Sequence, residues 1–175
     1  QSYASLGINT CAALRGIMPG DRRFKMAIPD GYRRFENTFD VPFAKEYVHN
    51  IESLRGSSKE SYALEPEPTN RVDPNAMLIV VNSKGLFGSR SKVLGYLPRG
   101  IAKYVSEMGI AKKLIPRPQR LWIGDRGGVS FGMDLLGPKS LYKSYIARRE
   151  EEQALRAAEA ASKPPSDIQK AYYKF

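Results

Sequence analysis

The chain of 175 residues has one cysteine, Cys11, and one histidine, His49. A single cysteine excludes an intrachain disulfide, and two soft ligands fall short of the four that a structural zinc site takes, so no metal site is expected. The same shortage leaves a cysteine–histidine nucleophile without a supporting motif. No stretch ends in the Gly-Lys-Ser/Thr of a phosphate-binding loop; Gly85-Leu86-Phe87-Gly88-Ser89-Arg90-Ser91-Lys92 comes nearest and lacks it. Catalysis is therefore not expected, and no cofactor is implied. Long apolar runs are missing as well. The longest, Ala76 to Val81, has six residues, against the roughly 20 of a bilayer-spanning helix. No membrane partner is expected.

Acidic residues are also scarce, 18 Asp and Glu against 28 Lys and Arg, for a formal charge of +10. Such an excess favours polyanions, nucleic acid above all, through counterion release. A basic protein packed beside nucleic acid in a larger assembly has the same balance. The excess is uneven: residues 39–73 hold four basic and seven acidic side chains, residues 84–126 ten basic and two acidic. In the second stretch Arg99 and Lys103 lie one helical turn apart, and Lys112, Lys113, Arg117 and Arg120 follow. That spacing suits a phosphate track, and equally a solvated face.

The 42% hydrophobic content supplies one core with appendages. Residues 1–38 carry Gly7, Gly16, Pro19-Gly20, Pro29 and Gly31, spaced too closely for a long element, and read as an extended basic arm with Arg22, Arg23, Lys25, Arg33 and Arg34 among Phe24, Tyr32 and Phe35. Residues 39–138 read as short strands. Phe39, Val41 and Phe43 alternate, Tyr62 and Leu64 do so briefly, Ala76 to Val81 is a buried run and Val93 to Leu97 follows. Leu121 and Ile123 then lead through Gly124-Asp125-Arg126-Gly127-Gly128 into the alternating Val129, Phe131, Met133 and Leu135, a hairpin in which Trp122 and Phe131 are assigned to the core. Between strands, Pro98 opens a helix with Ile101, Tyr104, Val105 and Met108 on one face, and Gly109 ends it. Residues 139–175 read as a C-terminal helix that projects or lies on something, a break at Pro164-Pro165, and a last short helix from Ser166. The fold expected is mainly β: a small OB-like or SH3-like barrel with one or two short helices, the N-terminal arm and the C-terminal helix.

Two blocks are more specific: Leu64-Glu65-Pro66-Glu67-Pro68-Thr69-Asn70-Arg71-Val72-Asp73-Pro74-Asn75-Ala76-Met77, ahead of the buried strand, and Val93-Leu94-Gly95-Tyr96-Leu97-Pro98-Arg99-Gly100-Ile101-Ala102, at a strand-to-helix junction. From the residues alone the first is a rigid loop, with Pro68 and Pro74 fixing φ, and Asp73 and Asn75 read first as turn closers. Together the blocks resemble the HIRAN domain, a module found alone in bacteria and phages and fused to helicase-like remodelling enzymes in eukaryotes. The resemblance spans roughly Phe39 to Leu136.

The resemblance implies an OB-like barrel whose pocket holds the free 3′ end of single-stranded DNA. Asp73 would accept a hydrogen bond from the terminal hydroxyl and Asn70 would help line the pocket. Lys45 and Tyr47 are the nearest counterparts of a basic and an aromatic residue that the family carries on the pocket's other side. A carboxylate suits such a role, since it accepts from a hydroxyl and repels a terminal phosphate. Where the family commonly has an aromatic before the Asp, this chain has Val72. The function expected is a non-enzymatic nucleic-acid-binding module, DNA ahead of RNA, with Arg99, Lys103, Lys112 and Lys113 on phosphates. The alternative is a structural subunit of a large nucleoprotein complex, with protein partners on the arm and the C-terminal helix. Either places the protein in a nucleic-acid-containing compartment: an organelle, the nucleus or a bacterial cytoplasm.

Overall fold

The computed structural model describes residues 20–56, 59–85, 88–124 and 126–162. The expected final helix from Ser166 and the first half of the expected arm lie outside them. Seven strands form two antiparallel sheets. One, in the order β1-β6-β7-β2, consists of β1 (Asp21–Arg23), β6 (Ile115–Ile123), β7 (Val129–Pro138) and β2 (Tyr32–Asp40). The other is the meander β3 (Glu60–Pro66), β4 (Met77–Gly85) and β5 (Gly88–Tyr96). The mainly β fold with few short helices and a C-terminal helix, expected from the strand pattern, is the fold found.

Both sheets contribute to one core. Leu64, Ile79 and Leu94 come from the meander, and Leu121, Phe131, Met133 and Leu135 from the four-stranded sheet, all buried, with Ile51 of the short helix α1 (Val48–Glu52) filling between them. Burial of each such side chain contributes about 1.5–3 kcal/mol. The helix α2 (Arg99–Glu107) follows β5 as expected and turns Ala102, Tyr104 and Val105 inward.

Packing decides three expectations, correcting those for the arm and Trp122 and choosing between the two for the C-terminal helix. The stretch 20–38 is not a free arm: β1 pairs with β6, and β2 pairs with β7 across Tyr32↔Pro138 to Asp40↔Gly132. Pro29 and Gly31 fall in the connection between the three-residue β1 and the nine-residue β2, so both strands fit between the breakers and pair with the sheet. Of the two alternatives for the helix α3 (Tyr142–Ser162), the second holds for its first half, which lies on the domain. Tyr145 is fully buried, its ring 4.6 Å from Phe35 and 5.3 Å from Tyr104, and the hydroxyls of Tyr145 and Tyr104 both donate to Glu36 Oε1, at 2.9 and 2.6 Å. Burial, above all, pushes both hydroxyls far above the ordinary tyrosine value. Only residues 153–162 of α3 are exposed throughout. Finally, Phe131 is in the core, but Trp122 is 43% exposed on the outer face of its sheet.

Candidate nucleic-acid interface

The loop between β3 and β4 is built as a closed frame. The amide of Glu67 donates to the Ala76 carbonyl at 2.9 Å and that of Ala76 to the Asp73 carbonyl at 3.0 Å. Asn70 supports its inside: Oδ1 accepts from the amides of Val72 and Asp73, and Nδ2 donates to Glu67 Oε2 at 2.7 Å. Asp73 Oδ1 accepts from the Asn75 amide at 2.9 Å, the turn closure that the residues suggested. Its other oxygen, Oδ2, is left to face Arg99 Nε at 3.3 Å, with the Asp73 side chain 15% exposed and that of Arg99 76% exposed.

Opposite this loop lies the corner between β2 and α1, and the two are joined through Gly95. At φ +143, with its absent Cβ only 2.5 Å from Val41 Cγ1 and 2.7 Å from the Pro42 carbonyl oxygen, Gly95 lets β5 press against the corner. Tyr96 then donates its amide to Pro42 O at 3.2 Å and its hydroxyl to Glu67 Oε2 at 3.1 Å. Burial and that bond to Glu67 push the Tyr96 hydroxyl up to about 12, so it stays a proton donor. Phe43, expected as the end of a strand, instead caps the turn into α1 in the left-handed conformation (φ 62) and stands 59% exposed. A bulky residue there is uncommon and strains the backbone of the turn. Its ring meets Tyr96 edge to face, centroids 5.7 Å apart.

Between corner and loop is a recess of about 480 Å³ lined by Phe43, Tyr47 and Tyr96 on one side and Asn70, Asp73 and Arg99 on the other. Of the expected site residues, Asp73, Asn70, Tyr47 and Arg99 thus converge. Lys103 is one turn further along α2, in an adjoining recess of about 460 Å³ shared with Asp73, Arg99 and Arg156 of α3, and its ammonium holds Glu152 at 2.9 Å. Those bonds from Lys103, ahead of Arg156, keep the Glu152 carboxyl below the usual range. Lys45 is exposed on the turn before α1 and does not line the recess. Lys112 and Lys113 are exposed beyond the far end of α2, about 13 Å along a nine-residue helix. They do not join the site.

The extended phosphate track is corrected at Arg117. Its guanidinium is buried on the fully buried Asp134, with Nε to Oδ1 at 2.9 Å and Nη2 to Oδ2 at 2.5 Å, while Nη1 donates to the Met26 carbonyl. It staples the chain before β2 to the sheet and is out of reach of a ligand. What sequence reasoning missed is the aromatic wall of Phe43 and Tyr96: Val72, where an aromatic was looked for, is 82% exposed, and the rings come instead from across the recess. A positive φ at Phe43 has no signature in the sequence.

No family model matches the chain, and no curated protein matches it. Among solved structures it is similar to the crystal structure of the HIRAN domain of human HLTF, at 17% identity over 70% of this chain and 93% of that one, with a TM-score of 0.37.

Proposed function

We propose that this protein is a non-enzymatic nucleic-acid-binding module that seats the 3′ end of a single strand of DNA in the recess between Phe43 and Asp73. The observation that carries the reading is the pairing of one carboxylate oxygen with an exposed guanidinium at the mouth of an aromatic-walled recess. Asp73 Oδ1 is spent on the loop, and on this reading Oδ2, beside Arg99, accepts from a terminal hydroxyl. Arg99 stands beside it for the adjacent phosphate, with Lys103 and Arg156 following round the start of α2. Phe43, Tyr47 and Tyr96 offer the stacking surface that Val72 does not.

The test is titration of labelled strands ending in a 3′-hydroxyl or a 3′-phosphate. A carboxylate about 4 Å from a phosphate is repelled by at least about 1 kcal/mol, so the hydroxyl end is expected to bind at least about fivefold tighter. Asp73→Ala should abolish that preference. Equal binding of the two ends by the unaltered protein refutes the reading.

A second reading, a structural subunit of a large nucleoprotein complex, is favoured by the exposed half of α3, where Leu155 stands 50% exposed among alanines. Under it the native protein migrates with a large particle, and the isolated chain binds free strands poorly.

A further inference from the structure

On the outer face of the four-stranded sheet, away from the recess, the Trp122 indole packs against Gly124 and Gly128. A Cβ on Gly124 would sit 2.5 Å from the indole Cη2, and one on Gly128 would sit 3.0 Å from Cζ3. Side chains at these two positions would displace the ring, so the bare backbone is what lets it lie there. One side of the indole is supported by the turn, and 43% of the residue stays open to solvent.

The strand register shows what surrounds it. Asp21 is opposite Trp122 and Arg23 is opposite Arg120, so all four share one face, whereas Arg22 reaches the other way to the carbonyls of Glu52 and Leu54. Like charges directly opposite each other destabilise a sheet. Arg23 and Arg120 are exposed; Arg120 pairs with Asp40 at 3.4 Å, itself 65% exposed, and Asp21 is a second acid on this face. Two opposed arginines beside a rigid, open indole make a surface for a base and its flanking phosphates.

We propose that this face is a second single-strand contact, with a nucleobase stacked on Trp122 and the neighbouring phosphates on Arg23 and Arg120. Asp40, which accepts from Arg120 and Ser130 on this face, lies three residues before Phe43 in the chain. Unlike the recess, this contact needs no strand terminus.

Trp122 is the chain's single tryptophan, so its fluorescence reports the site directly. The probe is a closed circular single strand of DNA, which has no 3′ end and therefore separates this site from the recess; inorganic polyphosphate serves as a polyanion without bases. The circle is expected to quench the emission of the full-length protein, also in the Asp73→Ala variant, and polyphosphate is not. Trp122→Ala should weaken binding of the circle about fivefold or more. Because that change could unsettle the turn, Arg23→Glu and Arg120→Glu, which keep the indole, should each shift the quenching curve to higher DNA concentration. No binding of the circle, binding without quenching, or equal quenching by polyphosphate overturns the proposal.

Discussion

Arg117 and Arg99 belong to the same basic stretch, and alanine at each is expected to fail in opposite ways. Removing the Arg117 guanidinium takes two bonds from the fully buried Asp134 and one from the Met26 carbonyl. Breaking a buried pair typically costs about 3–5 kcal/mol. Arg34 stays on Asp134 Oδ2 at 2.9 Å, which argues for the lower end. At about 2–4 °C per kcal/mol for a chain of this size, Arg117→Ala should melt roughly 6–12 °C below the unaltered protein. Arg99 is 76% exposed and its pair with Asp73 contributes about 0–1 kcal/mol, so Arg99→Ala should melt within roughly 4 °C of the parent. Binding reverses the order. Each phosphate contact adds about 0.7 to the slope of log affinity against log salt for a single strand. Arg99→Ala should lose about that much, and Arg117→Ala, measured well below its melting point, should lose nothing. Circular dichroism melts and fluorescence anisotropy across a salt series read both quantities. An Arg117→Ala protein with unchanged melting and a shallower salt slope would place Arg117 on the nucleic acid and refute the assignment of roles.

Phe43→Gly should remove the strain of a positive φ and leave stability equal or higher by up to about 1 kcal/mol, while loss of the ring weakens strand binding about fivefold or more; denaturant titration and anisotropy on the same samples check both. Gly95→Ala should lower stability by about 1–3 kcal/mol, because the new Cβ would meet backbone oxygen at Pro42 as well as Val41; a denaturation midpoint equal to that of the parent would contradict the packing at this corner. Tyr96 is pushed up to about 12 and Tyr62, Tyr104 and Tyr145 further still. A folded-state value above the unfolded value near 10 means that the unfolded chain gives up these protons first. The stability that these groups contribute is therefore complete below pH 10 and is lost as pH rises through the folded values. Unfolding free energies measured between pH 8 and 12 should decline above pH 10, and a flat profile would count against the burial of these hydroxyls.

Local signals carried well where they depended on near neighbours. The Asn70 to Asn75 loop, the buried run after Ala76, the helix opened by Pro98 and the hairpin before Val129 were legible because proline geometry, side chain to backbone bonding and two-residue alternation are properties of short segments. For the recess, Asn70, Asp73 and Tyr47 were singled out by the family resemblance and Arg99 by charge spacing, and the fold brings these four to one recess. Lys45, Lys112 and Lys113 were equally eligible by charge, and nothing in their spacing showed that they stand outside the recess.

What residue order could settle was therefore the class of fold, the loop that holds Asp73 and the excess of positive charge. Tertiary structure decided which charges are exposed and which aromatics line the recess. Arg117 is inside because Asp134 of a neighbouring strand meets it, and Trp122 is outside because strand register puts Leu121 and Phe131 in the core. The Phe43 wall exists because Gly95, some fifty residues away in sequence, allows two segments to touch. Contacts between distant segments depend on register and close approach, and a linear pattern of residue types records neither.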